Sequence, residues 1–107
     1  MTDNQAHAVL TQLERIIQER LSAGDSSSYV YRLVASGTDR VLQKIGEEAT
    51  EFVIAGKNKD KPEICEEGAD LIFHLLVFLQ SQGLALSDIT QVLAQRAAKK
   101  AKQKKGK

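Results

Sequence analysis

Glu47, Glu48 and Glu51, then Glu67 and Asp70, place five carboxylates in two short stretches at helical spacing. On a helix turning about 100° per residue, Lys44, Glu47, Glu48 and Glu51 fall within an arc of roughly 100°. Glu63, Glu66, Glu67, Asp70 and His74 form a second arc about as narrow. Each arc borders apolar residues, Val41, Ile45 and Phe52 beside the first and Ile64, Leu71 and Leu75 beside the second. Like charges three or four residues apart on a helix cost a few tenths of a kcal/mol per pair. In the first arc only Lys44 offers compensation. Charge at the edge of an apolar seam must be paired or hold a metal. Oxygen-only donors select hard ions, Mg2+ first and Mn2+ as the alternative. A di-iron site would want Glu-x-x-His, and Cys65 and His74 lack zinc-ligand partners. Magnesium keeps waters and is completed by substrate phosphates, so the chemistry expected here is hydrolysis of a phosphoanhydride.

Two helices must bring those groups together. Between them lies Gly56-Lys-Asn-Lys-Asp-Lys-Pro62, with stop and start signals of a helical hairpin: a glycine expected at the helix end and a proline in the next first turn. Short connections make antiparallel neighbours. If the turn centres on Lys59, Glu51 and Glu67 each stand eight residues from it, and Glu48 and Asp70 each eleven. The carboxylates then come level in pairs across the hairpin.

The remaining elements frame it. Thr2-Asp3-Asn4 offers N-cap residues for a first helix to Ala23, with Val9, Leu10, Leu13, Ile16, Ile17 and Leu21 at helical spacing. Gly24 to Ser28 reads as a loop. Thr38-Asp39 reads as the cap of the helix carrying the first acidic arc, and Asp39 suits its positive end. Gly83 ends the second acidic helix, and a last helix starts at Ser87. The fold class expected is all-α, a bundle-like domain of four to five helices built on an antiparallel helical hairpin, over residues 1–95. Residues 96–107 are expected to be a basic tail, frayed or disordered.

Those same residues carry a resemblance. Glu47-Glu48-x-x-Glu51 followed by Glu67-x-x-Asp70 resembles the signature of the all-α nucleoside triphosphate pyrophosphatases. Ser28-Tyr29, Gly37, Lys44-x-Gly46-Glu47-Glu48-Ala49-x-Glu51, Ala55, Lys57-Asn58 and Glu66-Glu67-x-Ala69-Asp70-Leu71-x-x-His74-Leu75-Leu76-Val77 together resemble the phosphoribosyl-ATP pyrophosphohydrolase family over Leu10 to Gln95. The resemblance implies a short helix from Ser28-Tyr29 toward Gly37 and a dimer. It implies cleavage of 1-(5-phosphoribosyl)-ATP between the α and β phosphates, giving 1-(5-phosphoribosyl)-AMP and pyrophosphate, the second step of histidine biosynthesis. Gly68 departs from the alanine of that pattern, and the lysine-rich end lies outside it.

On this reading Glu48, Glu51, Glu67 and Asp70 hold one or two Mg2+ ions. Glu47 is a further ligand or an orienter of water, so Glu47, Glu48 and Glu51 form the catalytic set. Lys44 is either a phosphate contact or the partner of Glu48. His74 is a substrate contact, a general base or a core histidine satisfied within the fold. Arg32 is a further candidate for phosphate contact.

Composition bounds the alternatives. With 107 residues, 42% hydrophobic and 27% charged, the chain suits one globular domain. Arg96 to Lys107 carries seven bases and no acid, leaving the first 95 residues at −6. The lone Cys65 reads as a buried free thiol, compatible with a cytoplasmic setting. The longest apolar run, Leu71 to Leu79, is broken by His74 and falls short of the ~20 residues that a membrane span needs. No aromatic-basic pattern points to nucleic acid. Two other functions compete: a housecleaning pyrophosphatase acting on other nucleoside triphosphates, and a non-catalytic helical module binding through its basic tail.

Overall fold

Thr2 opens the first helix with reciprocal bonds: its Oγ1 accepts from the Gln5 N–H at 3.2 Å, and Gln5 Oε1 accepts from the Thr2 N–H at 2.7 Å. This capping box satisfies donors that the first helical turn leaves orphaned. A computed structural model describes residues 1–105, with side chains placed through residue 103. It contains α1 (Asp3–Ala23), α2 (Tyr29–Ala35), α3 (Thr38–Lys57), α4 (Lys61–Ser81) and α5 (Leu86–Lys105). The all-α expectation holds, and the short helix expected from Ser28-Tyr29 is α2, capped by the Ser28 hydroxyl.

The α3–α4 hairpin is the dominant packing of the fold, with α1 against α4 and α2 wedged against α1, α3 and α4. Its turn differs in detail from expectation. Gly56 remains helical, α3 ends at Lys57, and the left-handed residue is Lys59 with φ 56°. A Lys59 N–H bond to Gly56 O and an Asp60 N–H bond to Ala55 O close the turn. Asp60 then caps α4 by accepting from the Glu63 N–H at 3.2 Å, with Pro62 in the first turn where a missing N–H costs nothing. At the other end of α3 the cap is Gly37, at φ 110°, not Thr38. A positive φ there is open to glycine and strained for other residues.

Ile17, Val30, Leu33, Val41, Leu76, Val77 and Leu79 form the buried core, with Leu10, Leu13, Leu21, Phe73, Phe78 and Leu86 packed around it. Glu14 ties α5 to this body: its Oε2 accepts from the Leu86 N–H at 2.8 Å and from Gln80 Nε2 at 3.4 Å. Beyond that anchor α5 leaves Ile89, Val92 and Leu93 exposed. The radius of gyration is 16.5 Å, against about 13 Å for a compact chain of this length. Residues 96–105 continue as helix where a frayed or disordered tail is expected, because alanine, lysine and glutamine are strong helix formers even without packing. The last two tail residues, 106 and 107, lie outside the described residues. Cys65 also departs from expectation: it is exposed, not buried.

Candidate active site

The hairpin sets the carboxylates level. Glu48 on α3 and Glu67 and Asp70 on α4 offer oxygens that all lie within 4.8 Å of one another. Glu48 is buried, with 7% of its surface exposed. Its Oε1 lies 3.4 Å from Lys44 Nζ, while its Oε2 is buried with no hydrogen-bond partner. Glu67 Oε2 is orphaned in the same way. A buried carboxylate oxygen without a donor is costly, and two of them in one cluster fit a cation. The donors are oxygen alone, which matches Mg2+ or Mn2+ better than softer ions.

Glu51 and Glu63 flank Glu67. Hydrogen bonding to Glu51 and to Glu63, then burial and the repulsion of their charges, pushes the Glu67 carboxyl up to about 7. The level pairing of Glu51 with Glu67 and of Glu48 with Asp70 is thus observed. Glu51 stands outside the three-membered cluster, lining a neighbouring cavity with Asp60, Glu63 and Glu67. Glu63 belongs beside the site although the motif omits it, and its place on the second acidic arc was the signal for it.

The other expected site residues divide. Glu47 faces cations: its carboxylate lies 3.4 Å from Lys44 Nζ and 3.9 Å from Arg40 Nη1, and accepts from Gln43 Nε2 at 3.2 Å. Lys44 bridges Glu47 and Glu48. Burial works to lower its pKa, but bonds to those two carboxylates outweigh it and hold the ammonium above its ordinary range. His74 is buried, and both ring nitrogens are used within the chain. Nδ1 lies 2.8 Å from Asp70 O, which can only accept, so Nδ1 carries the proton. In the neutral ring Nε2 then accepts from the Tyr29 hydroxyl at 2.8 Å. Phe73 and Tyr29 pack around the imidazole, each edge-on to it.

A family model described as phosphoribosyl-ATP pyrophosphohydrolase matches residues 10–97. The chain belongs to the phosphoribosyl-ATP pyrophosphohydrolase family. Among its relatives, a protein named phosphoribosyl-ATP pyrophosphatase from Pyrobaculum arsenaticum is 43% identical over 88 residues, 82% of this chain and 94% of that one. The histidine biosynthesis bifunctional protein HisIE of Photobacterium profundum is 49% identical over 87 residues, and that of Bacillus subtilis 44% over 88. This chain spans 42% of the length of each of those two bifunctional relatives. Within the family's matched segment lie every carboxylate of the cluster, Lys44, Tyr29 and His74. Among the described residues no single helix is long and apolar enough to cross a membrane.

Proposed function

We propose that this chain hydrolyses 1-(5-phosphoribosyl)-ATP to 1-(5-phosphoribosyl)-AMP and pyrophosphate, with Mg2+ held by Glu48, Glu67 and Asp70 and Glu51 completing the set. The observation that carries this is the Glu48–Glu67–Asp70 cluster with two orphaned buried oxygens, in a chain of this family. The relatives' names supply the substrate and the pathway, histidine biosynthesis. A nucleotide-consuming biosynthetic step suits the cytoplasm.

When bound, the ion neutralises triphosphate charge and makes water a usable nucleophile near neutral pH. The chain's own residues do the rest. Carboxylates accept hydrogen bonds and cannot hold phosphate unaided, so Lys44 supplies the point charge next to the metal cluster. Glu47 orients Lys44 and Arg40 at the rim. Glu51, exposed beside Glu67, accepts the proton of the attacking water or orients it. His74 acts at one remove, by fixing the Tyr29 hydroxyl.

The test is pyrophosphate release from phosphoribosyl-ATP, ATP and dTTP, with Mg2+ or EDTA, for wild type, Glu48→Gln and Glu51→Gln. Changing groups behind metal ligands costs about 10- to 100-fold, so losing Glu48 itself should cost at least about 100-fold in kcat/KM. Turnover of phosphoribosyl-ATP alone, lost in EDTA, supports the reading. Preference for ATP or dTTP would move the chain to housecleaning hydrolysis. No turnover of any would overturn catalysis.

A further inference from the structure

Beside the acidic cluster lies a cavity of opposite character. It measures about 230 Å3 and is lined by Tyr29, Arg32, Leu33, Ser36, Arg40 and Lys44. Three of its six lining residues are cationic and none is acidic. The first 95 residues hold eight bases against fourteen acids, so three of those eight converge on one hollow in an otherwise negative body. α2 and the first turns of α3 build this wall: Arg32 and Ser36 come from α2 and the residue after it, Arg40 and Lys44 one turn apart from α3.

The arginines are held with most of their donors uncommitted. Arg32 gives one N–H from Nη1 to Ser26 O at 2.9 Å, which fixes its guanidinium at the rim. Arg40 is half-exposed, and its contact to Glu47 is loose at 3.9 Å. Planar guanidinium groups suit the bidentate recognition of phosphate oxygens. The Tyr29 hydroxyl spends its one proton on His74 Nε2, so Tyr29 serves as a fixed wall and the donors are the guanidinium groups. Lys44 belongs to both places, since it lines the cavity and touches Glu48 of the carboxylate cluster. A liquid water occupies about 30 Å3, so the cavity has room for a phosphate and part of the sugar that carries it.

We propose that this cavity is a phosphomonoester subsite: Arg32 and Arg40 take the 5-phosphate of the substrate's second ribose while the carboxylate cluster takes the triphosphate, with Lys44 between the two. This rests on the substrate reading above. The substrate is anionic at two ends, and the site has two anion-holding devices of different kinds side by side. Metal on carboxylates serves the polyphosphate, and bare guanidinium groups serve a terminal dianion. The subsite explains how the chain separates phosphoribosyl-ATP from ATP, which lacks the second phosphate entirely.

The experiment uses the full chain with Arg32→Met, Arg40→Met and the double variant, each checked for an unchanged thermal midpoint, and Arg32→Lys as a charge-preserving control. Steady-state turnover of phosphoribosyl-ATP at saturating Mg2+ should show KM raised roughly 10-fold by each single change and roughly 100-fold by the pair, with kcat within about threefold, as expected for charge-assisted bonds. The inhibition constant of ATP as competitor should stay put. In EDTA, phosphoribosyl-AMP should bind wild type at least about 10-fold more tightly than AMP, and the double variant should bind the two alike. An unchanged KM, or equal wild-type affinity for phosphoribosyl-AMP and AMP, overturns the subsite. Equal weakening of phosphoribosyl-ATP and ATP assigns the cavity to the triphosphate and also overturns it. Absence of turnover in wild type would overturn the substrate reading instead, and the EDTA titration would still decide the cavity.

Discussion

The Tyr29 hydroxyl and the Nε2 of His74 lie 2.8 Å apart although 45 residues separate them in sequence. One partner is buried and the other half-exposed, so the bond joins the core to the rim of the site. Tyr29→Phe leaves a buried ring nitrogen without its donor, which costs about 1 kcal/mol or more. For a domain of this size that lowers the thermal midpoint by roughly 4–8 °C. Thermal denaturation of wild type and Tyr29→Phe measures it, and an unchanged midpoint would mean that the bond contributes nothing to the fold. His74→Phe should cost more, because it also forfeits the Nδ1 bond to Asp70 O.

Glu67 gives the metal-free protein an unusual pH dependence. Its carboxyl is pushed up to about 7 from an ordinary 4.5 by Glu51 and Glu63. Between those two values the unfolded chain has lost a proton that the folded chain keeps. Unfolding then releases a proton, and stability falls as pH rises. The contribution is complete below about 4.5 and gone above about 7. In EDTA, the denaturant midpoint of wild type should therefore drop between pH 5 and pH 8. Glu67→Gln should flatten that slope and be the more stable protein at pH 8. Added Mg2+ at pH 8 should raise the midpoint of wild type and do little for Glu67→Gln. A wild-type midpoint that rises with pH over this window would refute the carboxylate crowding.

Much of this site could be read along the chain, because a helical hairpin is a local object. Equal distances from Lys59 placed Glu51 level with Glu67 and Glu48 level with Asp70, and both pairings are present. The capping residue Thr2 was an equally local signal. What escaped depends on tertiary placement. Periodicity cannot show that α2 leans Tyr29 onto His74, or that Arg32 and Arg40 line one cavity. The choice of Lys59 over Gly56 as the left-handed residue turns on where the last helical bond of α3 closes, a difference of one turn. The helical course of residues 96–105 follows from propensity alone, since the absence of large apolar residues removes packing but not helix formation.

Gly68 is explained by its neighbour. A Cβ there would meet Phe52 Cε1 at 3.2 Å, closer than comfortable contact, and Cδ1 at an ordinary 3.6 Å. Replacing a mid-helix glycine by alanine otherwise gains about 0.5–1 kcal/mol. Phe52 is 36% exposed, so its ring can swing outward by a few tenths of an ångström. Gly68→Ala should therefore stabilise by only a few tenths of a kcal/mol, and in a Phe52→Leu background by the full helix gain. A double-mutant cycle by urea denaturation checks this. Additivity within error would show that the ring does not resist the methyl.

The α3–α4 hairpin buries Glu48 yet leaves apolar surface bare. Leu42, Phe52 and Val53 on α3 and Ile72 and Leu75 on α4 are all exposed, Val53 at 67%. So many large apolar side chains left exposed on one hairpin point to an association face, and that hairpin is the same element that carries the site. The dimer expected from the family resemblance would cover this face with a second copy of the chain, since two-fold pairing buries one apolar patch against itself. Light scattering after gel filtration should give twice the 11.8 kDa chain mass. Val53→Asp and Ile72→Asp place charge in that interface and should shift the protein to monomer, with a lower thermal midpoint. Dimerisation of the native state should also make wild-type stability depend on concentration, where the monomeric variants show no such dependence. A wild-type monomer at micromolar concentration would remove the dimer and leave the exposed face without an occupant.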